Sequence, residues 1–242
     1  MRKFVAGLAL CLLLVVVAAG NYWGESKEME VLVILPPDIS AEELSDKLGV
    51  EKSDVFEYKQ GYLKYFSKDA FECEDFDEVD YASAARNYLA KLKLEPKLSY
   101  EFSGIAEDGK IFAYRNGTIR KCITNKHVNF QMYYKGIKLF GPGAKVRVYF
   151  SGNGVSGVIT QLWNVKAVGK VGILDRDVAV KELKGCNVKS IELVYFVPLP
   201  EGDRTYIYPA YAIRCVHEGV EIGKIVPAVP ISELEEVTSG EG

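Results

Sequence analysis

Apolar and polar side chains alternate with a period of two along residues 129–163. Phe130, Met132 and Tyr134 keep this alternation, and residues 145–150 repeat it after a glycine-rich interruption. Successive side chains of a β-strand point to opposite faces, so this period is typical of a strand with one buried face. Residues 129–163 are therefore predicted to form a meander of strands joined by glycine turns.

Helical spacing of apolar residues appears in three other places. Ser40 opens a short helix, and Asp80 caps the longest one, predicted over residues 81–94. Asp175 precedes a third helix, predicted over residues 176–183. Further strands are predicted at residues 31–35, 55–58, 62–66, 189–198, 206–217 and 220–229, and those at 55–58 and 62–66 are expected to form a hairpin around Gln60-Gly61.

Two turn dipeptides lie between the longest helix and the meander. Asp108-Gly109 and Asn116-Gly117 both favour two-residue type I′ turns, which predicts three short strands over residues 100–123. Asn116 also begins the sequence Asn-Gly-Thr, a glycosylation sequon. The turn explains these residues without a glycan, so modification of Asn116 stays one of two alternatives.

These elements together predict an α+β fold, in which antiparallel meanders carry helices packed on one face. A helix followed by several strands occurs from Asp80 and again from Asp175, which we interpret as a weak structural repeat. The predicted organisation is a signal peptide or membrane anchor at 1–20, an N-terminal α+β segment at 21–79, a first helix-plus-meander unit at 80–174, a second helix-plus-strands unit at 175–230 and a flexible tail at 231–242.

The N-terminus has the layout of a secretory signal peptide. Arg2 and Lys3 precede an uncharged apolar run at residues 4–19, and small residues near Gly20 suit cleavage. The run is slightly shorter than the ~20 residues that usually span a bilayer. Two outcomes stay open: a cleaved, secreted protein, or one anchored to the cytoplasmic membrane by residues 4–19. Cys11 follows Leu10 rather than a small residue, so no lipoprotein is predicted.

Composition restricts the classes of partner. The chain has 242 residues, of which 48% are hydrophobic and 26% charged, and this balance is typical of a globular protein. The formal net charge is −3. Nucleic acids and anionic membrane surfaces bind clustered Lys and Arg, so the overall charge argues against both as partners.

Cysteine usage agrees with export. Beyond Cys11 the chain has Cys73, Cys122, Cys186 and Cys215, an even number that permits two disulfides in any of three connectivities. Buried thiols are the alternative. No Cys-x-x-Cys pair occurs, so no zinc site is predicted.

The acidic run at residues 72–80 is the one candidate for a metal loop. Carboxylate oxygens are the ligands that Ca²⁺ prefers. The run lacks the glycine and the distal Glu of an EF-hand loop, and acidic residues also precede many helices because they complement the helix dipole. We therefore interpret it as a solvated entry to the helix and predict no metal.

Catalytic motifs are missing. Residues 152–157 match the Gly-x-Gly-x-x-Gly pattern, but the residues that follow are strand-like, whereas a dinucleotide site needs a helix there. The chain has two histidines, His127 and His217. Cys122 lies five residues before His127, which places the two on opposite faces of one strand. No cofactor is predicted.

A family resemblance follows from the turns and aromatic residues of the meander. The residues that carry it are Tyr134, Gly136, Ile137, Leu139, Gly141, the strand at 145–150, the helix at 175–183, the strands at 191–199 and 206–215, and Pro209. This pattern resembles the PepSY-like domains, which include the propeptide module of thermolysin-type proteases and the extracellular YycH/YycI-type regulators of a sensor kinase. The resemblance covers about residues 80–226.

The resemblance implies an exported, non-enzymatic binding or regulatory module that recognises a protein or peptide of the cell envelope. Tyr133, Tyr134 and Phe140 are the candidate contact residues, while Trp163 is expected in the core. Two alternatives stay open: a secreted hydrolase whose site is not visible in the sequence, and a structural envelope protein.

Overall fold

The structure is a computed structural model that describes residues 28–73, 75–76, 78–92, 97–152, 154–181, 183–199 and 204–239. The signal peptide or anchor predicted at 1–20 lies outside these residues. Glu74 and Asp77 of the acidic run lie outside them too.

Strands dominate the part of the chain that the structure describes, with 54% strand and 16% helix. The strands are β1 (Glu28–Leu35), β2 (Val55–Lys59), β3 (Tyr62–Phe66), β4 (Leu98–Ala113), β5 (Ile119–Tyr134), β6 (Ile137–Phe140), β7 (Val146–Ser151), β8 (Gly154–Gln161), β9 (Asn164–Gly172), β10 (Asn187–Phe196), β11 (Thr205–His217) and β12 (Val220–Pro227). The helices are α1 (Ala41–Leu48), α2 (Tyr81–Ala90), α3 (Arg176–Lys181) and α4 (Ile231–Ser239).

The predicted α+β class, with helices packed on one face of antiparallel meanders, is wrong. The described strands form one mixed sheet of 12 strands, accompanied by four short helices. The strand order is β2-β3-β8-β7-β5-β6-β10-β11-β1-β9, with β4 paired to β5 and β12 paired to β11. Local periodicity identifies a strand but does not say which distant strand it pairs with, and that pairing decides the class.

One parallel contact joins the two halves of this sheet. Leu139 and Phe140 of β6 pair with Tyr195 and Phe196 of β10, while the other pairings are antiparallel. Farther on, β1 lies between β9 and β11. Strands from the predicted N-terminal segment, first unit and second unit therefore share one sheet.

The turn predicted at Asp108-Gly109 is wrong, because this dipeptide lies within strand β4. The strand runs through this dipeptide as a bulge, at which the register shifts from Asp108 opposite Asn125 to Gly109 opposite Ile123. A type I′ turn needs positive φ at both central residues, and neither Asp108 nor Gly109 has it. Gln60 and Gly61 have φ of +51° and +79°, which confirms the hairpin predicted there.

The second predicted turn exists but is longer than expected. The amide of Gly117 donates to the carbonyl of Tyr114, and the amide of Tyr114 donates to the carbonyl of Thr118. Within Asn116-Gly117 only Gly117 has positive φ, +82°. The turn therefore spans residues 114–117 and closes with a glycine in the left-handed region.

The helices begin where the caps predict. The Ser40 side chain accepts from the amide of Glu43, and that of Asp80 accepts from the amide of Ser83. Helix α2 buries Tyr81, Ala85 and Leu89 in the main core, which also holds the fully buried Leu32, Leu63, Met132, Leu139 and Ile207.

Helix α4 occupies most of the predicted flexible tail. Leu234 and Val237 pack against a cluster that includes Val31 and Val171. Glu233 accepts a 3.1 Å hydrogen bond from the amide of Gly172. Two apolar residues three positions apart are enough to hold a short helix on a sheet, because they lie on one helical face. Residues 240–242 lie outside the described chain.

Two disulfides, Cys73–Cys122 and Cys186–Cys215, select one of the three connectivities. The Cα atoms of each pair are 5.6 Å apart. Structural disulfides persist in oxidising compartments, so they indicate an extracytoplasmic location. Within the ranges given above, no helix has the length and apolarity needed to cross a membrane.

Candidate functional site

The most exposed structured part of the molecule is a β-hairpin arm, residues 99–123, formed by most of β4, the turn and the first residues of β5. Thirteen of the 16 residues of β4 are exposed. Every residue from 110 to 121 is exposed, whereas β5 is largely buried from Thr124 onward. Residues 109–123 therefore form a two-stranded ribbon beyond the sheet, whereas residues 99–108 are an edge of the sheet, paired with the buried part of β5.

The outer edge of β4 carries no second strand: among the described strands only β5 pairs with it. Phe102 and Ile105 lie on this strand with 42% and 46% of their surface exposed. Edge strands present unpaired backbone N–H and C=O groups, and proteins usually shorten, charge or cover them. A long apolar edge left open is therefore a candidate binding surface.

The base of the arm is fastened to the segment before α2. Cys122 is bonded to Cys73, and the Lys110 ammonium donates to the carbonyl of Phe71 at 2.8 Å. A groove of about 760 Å³ lies between the arm and this segment. Its lining is Cys73, Asp75, Phe76, Glu107, Asp108, Gly109, Lys110, Ile111, Arg120, Lys121, Cys122, Ile123 and Lys126.

Lys126 connects the groove to helix α2. Its ammonium lies 3.3 Å from the Glu107 carboxylate and over the rings of Phe76 and Tyr81, at 5.4 and 5.3 Å from their centroids. A cation placed over aromatic faces and beside a carboxylate holds these groups together. Lys126 therefore has a structural role at the base of the arm.

His127 and Asp108 are the pair closest to a catalytic arrangement. His127 Nδ1 lies 3.3 Å from an Asp108 oxygen, and its buried ring stacks near Tyr149. Burial lowers the pKa of His127, which the nearby Asp108 partly opposes. No Ser or Thr hydroxyl contacts this imidazole among the described residues, and the Cys122 sulfur is bonded to Cys73.

The residues predicted as contacts do not form one surface. Tyr134 is buried, and its hydroxyl donates to Glu30 Oε2 at 2.8 Å. Tyr133 points to the opposite face of β5 and is half-buried. Phe140 is 40% exposed at the end of β6, and Trp163 is buried as expected.

Phe140 lines a second groove of about 580 Å³ on the other part of the sheet. The Lys138 ammonium lies 5.6 Å from the centroid of the Phe140 ring and 3.2 Å from Glu192. Charges of both signs therefore lie in the groove beside Phe140.

The Glu30 carboxylate joins β1 to the turn between β5 and β6. It accepts hydrogen bonds from Lys135 Nζ at 2.8 Å and from the Tyr134 hydroxyl at 2.8 Å. These bonds favour the ionised form, so the pKa of Glu30 lies below its ordinary value, with the Lys135 bond as the largest cause. The cluster is a structural contact between strands that are distant in sequence.

This shift predicts a dependence of stability on pH. A lowered folded-state pKa stabilises the protein above the unfolded value of ~4.3, and that stabilisation is lost as the pH falls through the folded value. We expect Glu30→Gln to flatten the fall of the urea midpoint between pH 5 and pH 3, Lys135→Gln to flatten it partly, and Tyr134→Phe less. Three variants with the wild-type slope would contradict the prediction.

Acidic side chains do not assemble into a metal site in the part of the chain that the structure describes. No group of three His, Cys, Asp or Glu residues there could hold an ion. Asp75 lines the groove, whereas Glu74 and Asp77 lie outside the described residues.

The arm was visible in the sequence only as a pair of turn signals. Ile111, Phe112 and Ile119 surround the Asn116-Gly117 turn, and such apolar residues usually indicate burial. Their exposure depends on the bulge at Asp108-Gly109, which extends β4 beyond the rest of the sheet.

Comparisons with known proteins add no function. No protein-family model matches the chain, and no curated protein is similar to it. Among solved structures, the chain is similar to an uncharacterised protein from Eubacterium rectale ATCC 33656, with 11% sequence identity over 84% of each chain and a TM-score of 0.47. This level of similarity supports no argument about activity or partners.

Proposed function

We propose that the protein is an exported, non-enzymatic binding module that captures an extended segment of an envelope protein along residues 99–108 of β4. The observation that carries the proposal is the open edge of this strand, which only β5 pairs among the described strands. A peptide in an extended conformation can satisfy such an edge by adding a strand to the sheet.

Side chains along this edge define the chemistry of the partner. Phe102 and Ile105 offer exposed apolar contacts, and Glu101, Glu107 and Asp108 add negative charge. Strand addition obtains affinity from the backbone and specificity from alternate side chains. We therefore expect a partner segment in which apolar residues alternate with basic ones.

Residues 4–19 are the proposed export signal. Their signal-like pattern and the two disulfides support it. The mature chain is either released after cleavage near Gly20 or held on the cytoplasmic membrane by the uncleaved segment. Mass spectrometry of the N-terminal peptide of the exported protein distinguishes the two forms. The resemblance of residues 80–226 to PepSY-like regulators supports a binding role within this proposal.

Site-specific crosslinking in the native host tests strand addition. A photo-crosslinking residue replaces the exposed Ser103 of β4, and the same residue replaces Val55, which is 51% exposed on the edge strand β2. We expect the probe at Ser103 to capture one recurrent partner segment that the probe at Val55 does not capture. The crosslinked segment is then synthesised as a peptide and its affinity is measured with the purified protein.

Variants of the edge connect this affinity to β4. Lysine opposes pairing at an edge and repels a basic segment, so Phe102→Lys with Ile105→Lys should raise the Kd at least about tenfold, whereas Val55→Lys should not change it. Bound peptide should also slow hydrogen exchange at residues 99–108. Equal capture at both edges, or binding without this protection, would rule out the proposal.

A further inference from the structure

The outer end of the arm concentrates positive charge. We call residues 110–121 the tip. Lys110, Arg115, Arg120 and Lys121 lie in it, Lys126 follows shortly after, and residues 109–126 contain no acidic side chain. The chain as a whole has a formal net charge of −3, so this cluster opposes the average charge of the protein. None of the ion pairs between described residues involves Arg115, Arg120 or Lys121.

Large apolar side chains are exposed in the same place. The exposed fractions are 68% for Ile111, 40% for Phe112, 50% for Tyr114 and 65% for Ile119. Soluble proteins commonly expose single apolar residues, but four in one short turn and its flanks form a cluster of the kind that marks an interaction surface.

Cross-strand pairing places apolar and cationic side chains together on both faces of the ribbon. Ile111 lies opposite Lys121, and Phe112 lies opposite Arg120 on the other face. Directly opposite residues of an antiparallel pair share one face. Either face of the tip therefore offers an apolar side chain flanked by a long cationic one.

The conformation of the tip is held by contacts at the turn and at the base of the arm. The Asn116 side chain accepts from the amide of Thr118 at 3.0 Å, which orders the turn. The Cys73–Cys122 disulfide and the Lys110 contact with Phe71 hold the base of the arm. The carboxylates of Glu107 and Asp108 line the groove at the base of the arm, which Arg120 and Lys121 also line, whereas Arg115 at the turn is not part of that lining.

We propose that the tip docks on an anionic phospholipid bilayer, with Ile111, Phe112, Tyr114 and Ile119 entering the interface and the cations contacting lipid phosphates. Charge complementarity favours an anionic surface, and the exposed aliphatic side chains favour a bilayer over a soluble polyanion, which offers no apolar phase to bury them. Aromatic and basic residues are enriched at membrane interfaces for these two reasons. The proposal does not depend on peptide capture by residues 99–108.

Tryptophan quenching tests the docking with the mature chain as exporting cells produce it. Ile119→Trp places a fluorophore at the tip, and Val220→Trp places one on another exposed aliphatic residue, 62% exposed at the hairpin between β11 and β12. The vesicles contain brominated phosphatidylcholine, with or without phosphatidylglycerol. We expect quenching at position 119 in the anionic vesicles, weaker quenching in neutral vesicles or at high salt, and none above the wild-type background at position 220.

A variant with three fewer cations at the tip provides a second test. Arg115→Gln, Arg120→Gln and Lys121→Gln together, added to Ile119→Trp, should lower the partition coefficient measured at position 119 by about 100-fold, since each cation near an anionic surface contributes on the order of a fivefold factor. These side chains are exposed, so circular dichroism and the Tm should stay close to those of the parent.

Four outcomes would overturn the docking proposal. Equal quenching in neutral and anionic vesicles would remove the role of the cations. Competition by soluble polyphosphate without quenching would assign the tip to a soluble polyanion, and quenching only in the presence of another protein would assign it to that protein. A glycan on Asn116 of the exported protein would also contradict it, because the sugar would occupy the tip.

Discussion

Removing the Cys73–Cys122 disulfide should lower the free energy of unfolding by about 4 kcal/mol, because the bridge closes a loop of about 50 residues in the unfolded chain. The loss should also have a local component. A two-stranded ribbon is marginally stable in water without further support, and this bridge is the one covalent link at the base of the arm in the described structure. Cys73→Ala with Cys122→Ala should therefore release the arm as well as destabilise the fold.

Denaturant unfolding and hydrogen exchange measure these two components separately. The matched control is Cys186→Ala with Cys215→Ala, whose residues are 29 apart in sequence, so its loss should cost roughly 3.5 kcal/mol. We expect faster exchange at residues 110–121 in the first double variant and wild-type exchange there in the second. Unchanged exchange of the arm in both variants would show that the turn and the Lys110 contact are sufficient to hold it.

Gly141→Ala should lower the free energy of unfolding by about 3–5 kcal/mol, since it combines backbone strain with a collision. Gly141 has φ of +138°, and a Cβ there would overlap the carbonyl oxygen of Val197. This glycine directly follows β6, where the Val197 amide donates to the carbonyl of Phe140 at 2.8 Å. The substitution therefore acts on the parallel contact between β6 and β10 that joins the two halves of the sheet.

Gly104→Ala is the matched control for Gly141→Ala. Gly104 has a similar φ of +151°, but a Cβ there would meet no atom within 4 Å. We expect this variant to cost about 1–2 kcal/mol, which is the strain without the collision. Urea unfolding of both variants gives the difference directly. Equal losses would show that Val197 moves aside and that the parallel contact tolerates separation.

Average charge and local charge lead to opposite conclusions about membranes. The net charge of −3 predicts no attraction to an anionic surface. Arg120 and Lys121 belong to the same sequence, but the three short strands predicted over residues 100–123 do not show that these side chains lie beyond the body of the sheet. The register of β4 reveals the arm, because pairing with β5 continues beyond the bulge at Asp108-Gly109 to Ala113.

The candidate contact residues also show that local sequence pattern does not reveal tertiary surroundings. Tyr134 and Phe140 were chosen because aromatic residues are common in interfaces. Tyr134 is instead held by Glu30, which lies 104 residues away in sequence, and Phe140 lies beside Lys138 in a separate groove. Neither neighbourhood follows from local pattern, since each is created by strands that are distant in the chain.

The sequence by itself determined the features that depend on near neighbours. These include the period of two in the strands, the caps at Ser40 and Asp80, and the hairpin at Gln60-Gly61. Steric limits on φ and hydrogen bonds within a few residues decide them. Only the tertiary structure decided the cysteine pairing, the single 12-stranded sheet and the open edge of β4, because each depends on the free energy of pairing segments far apart in sequence.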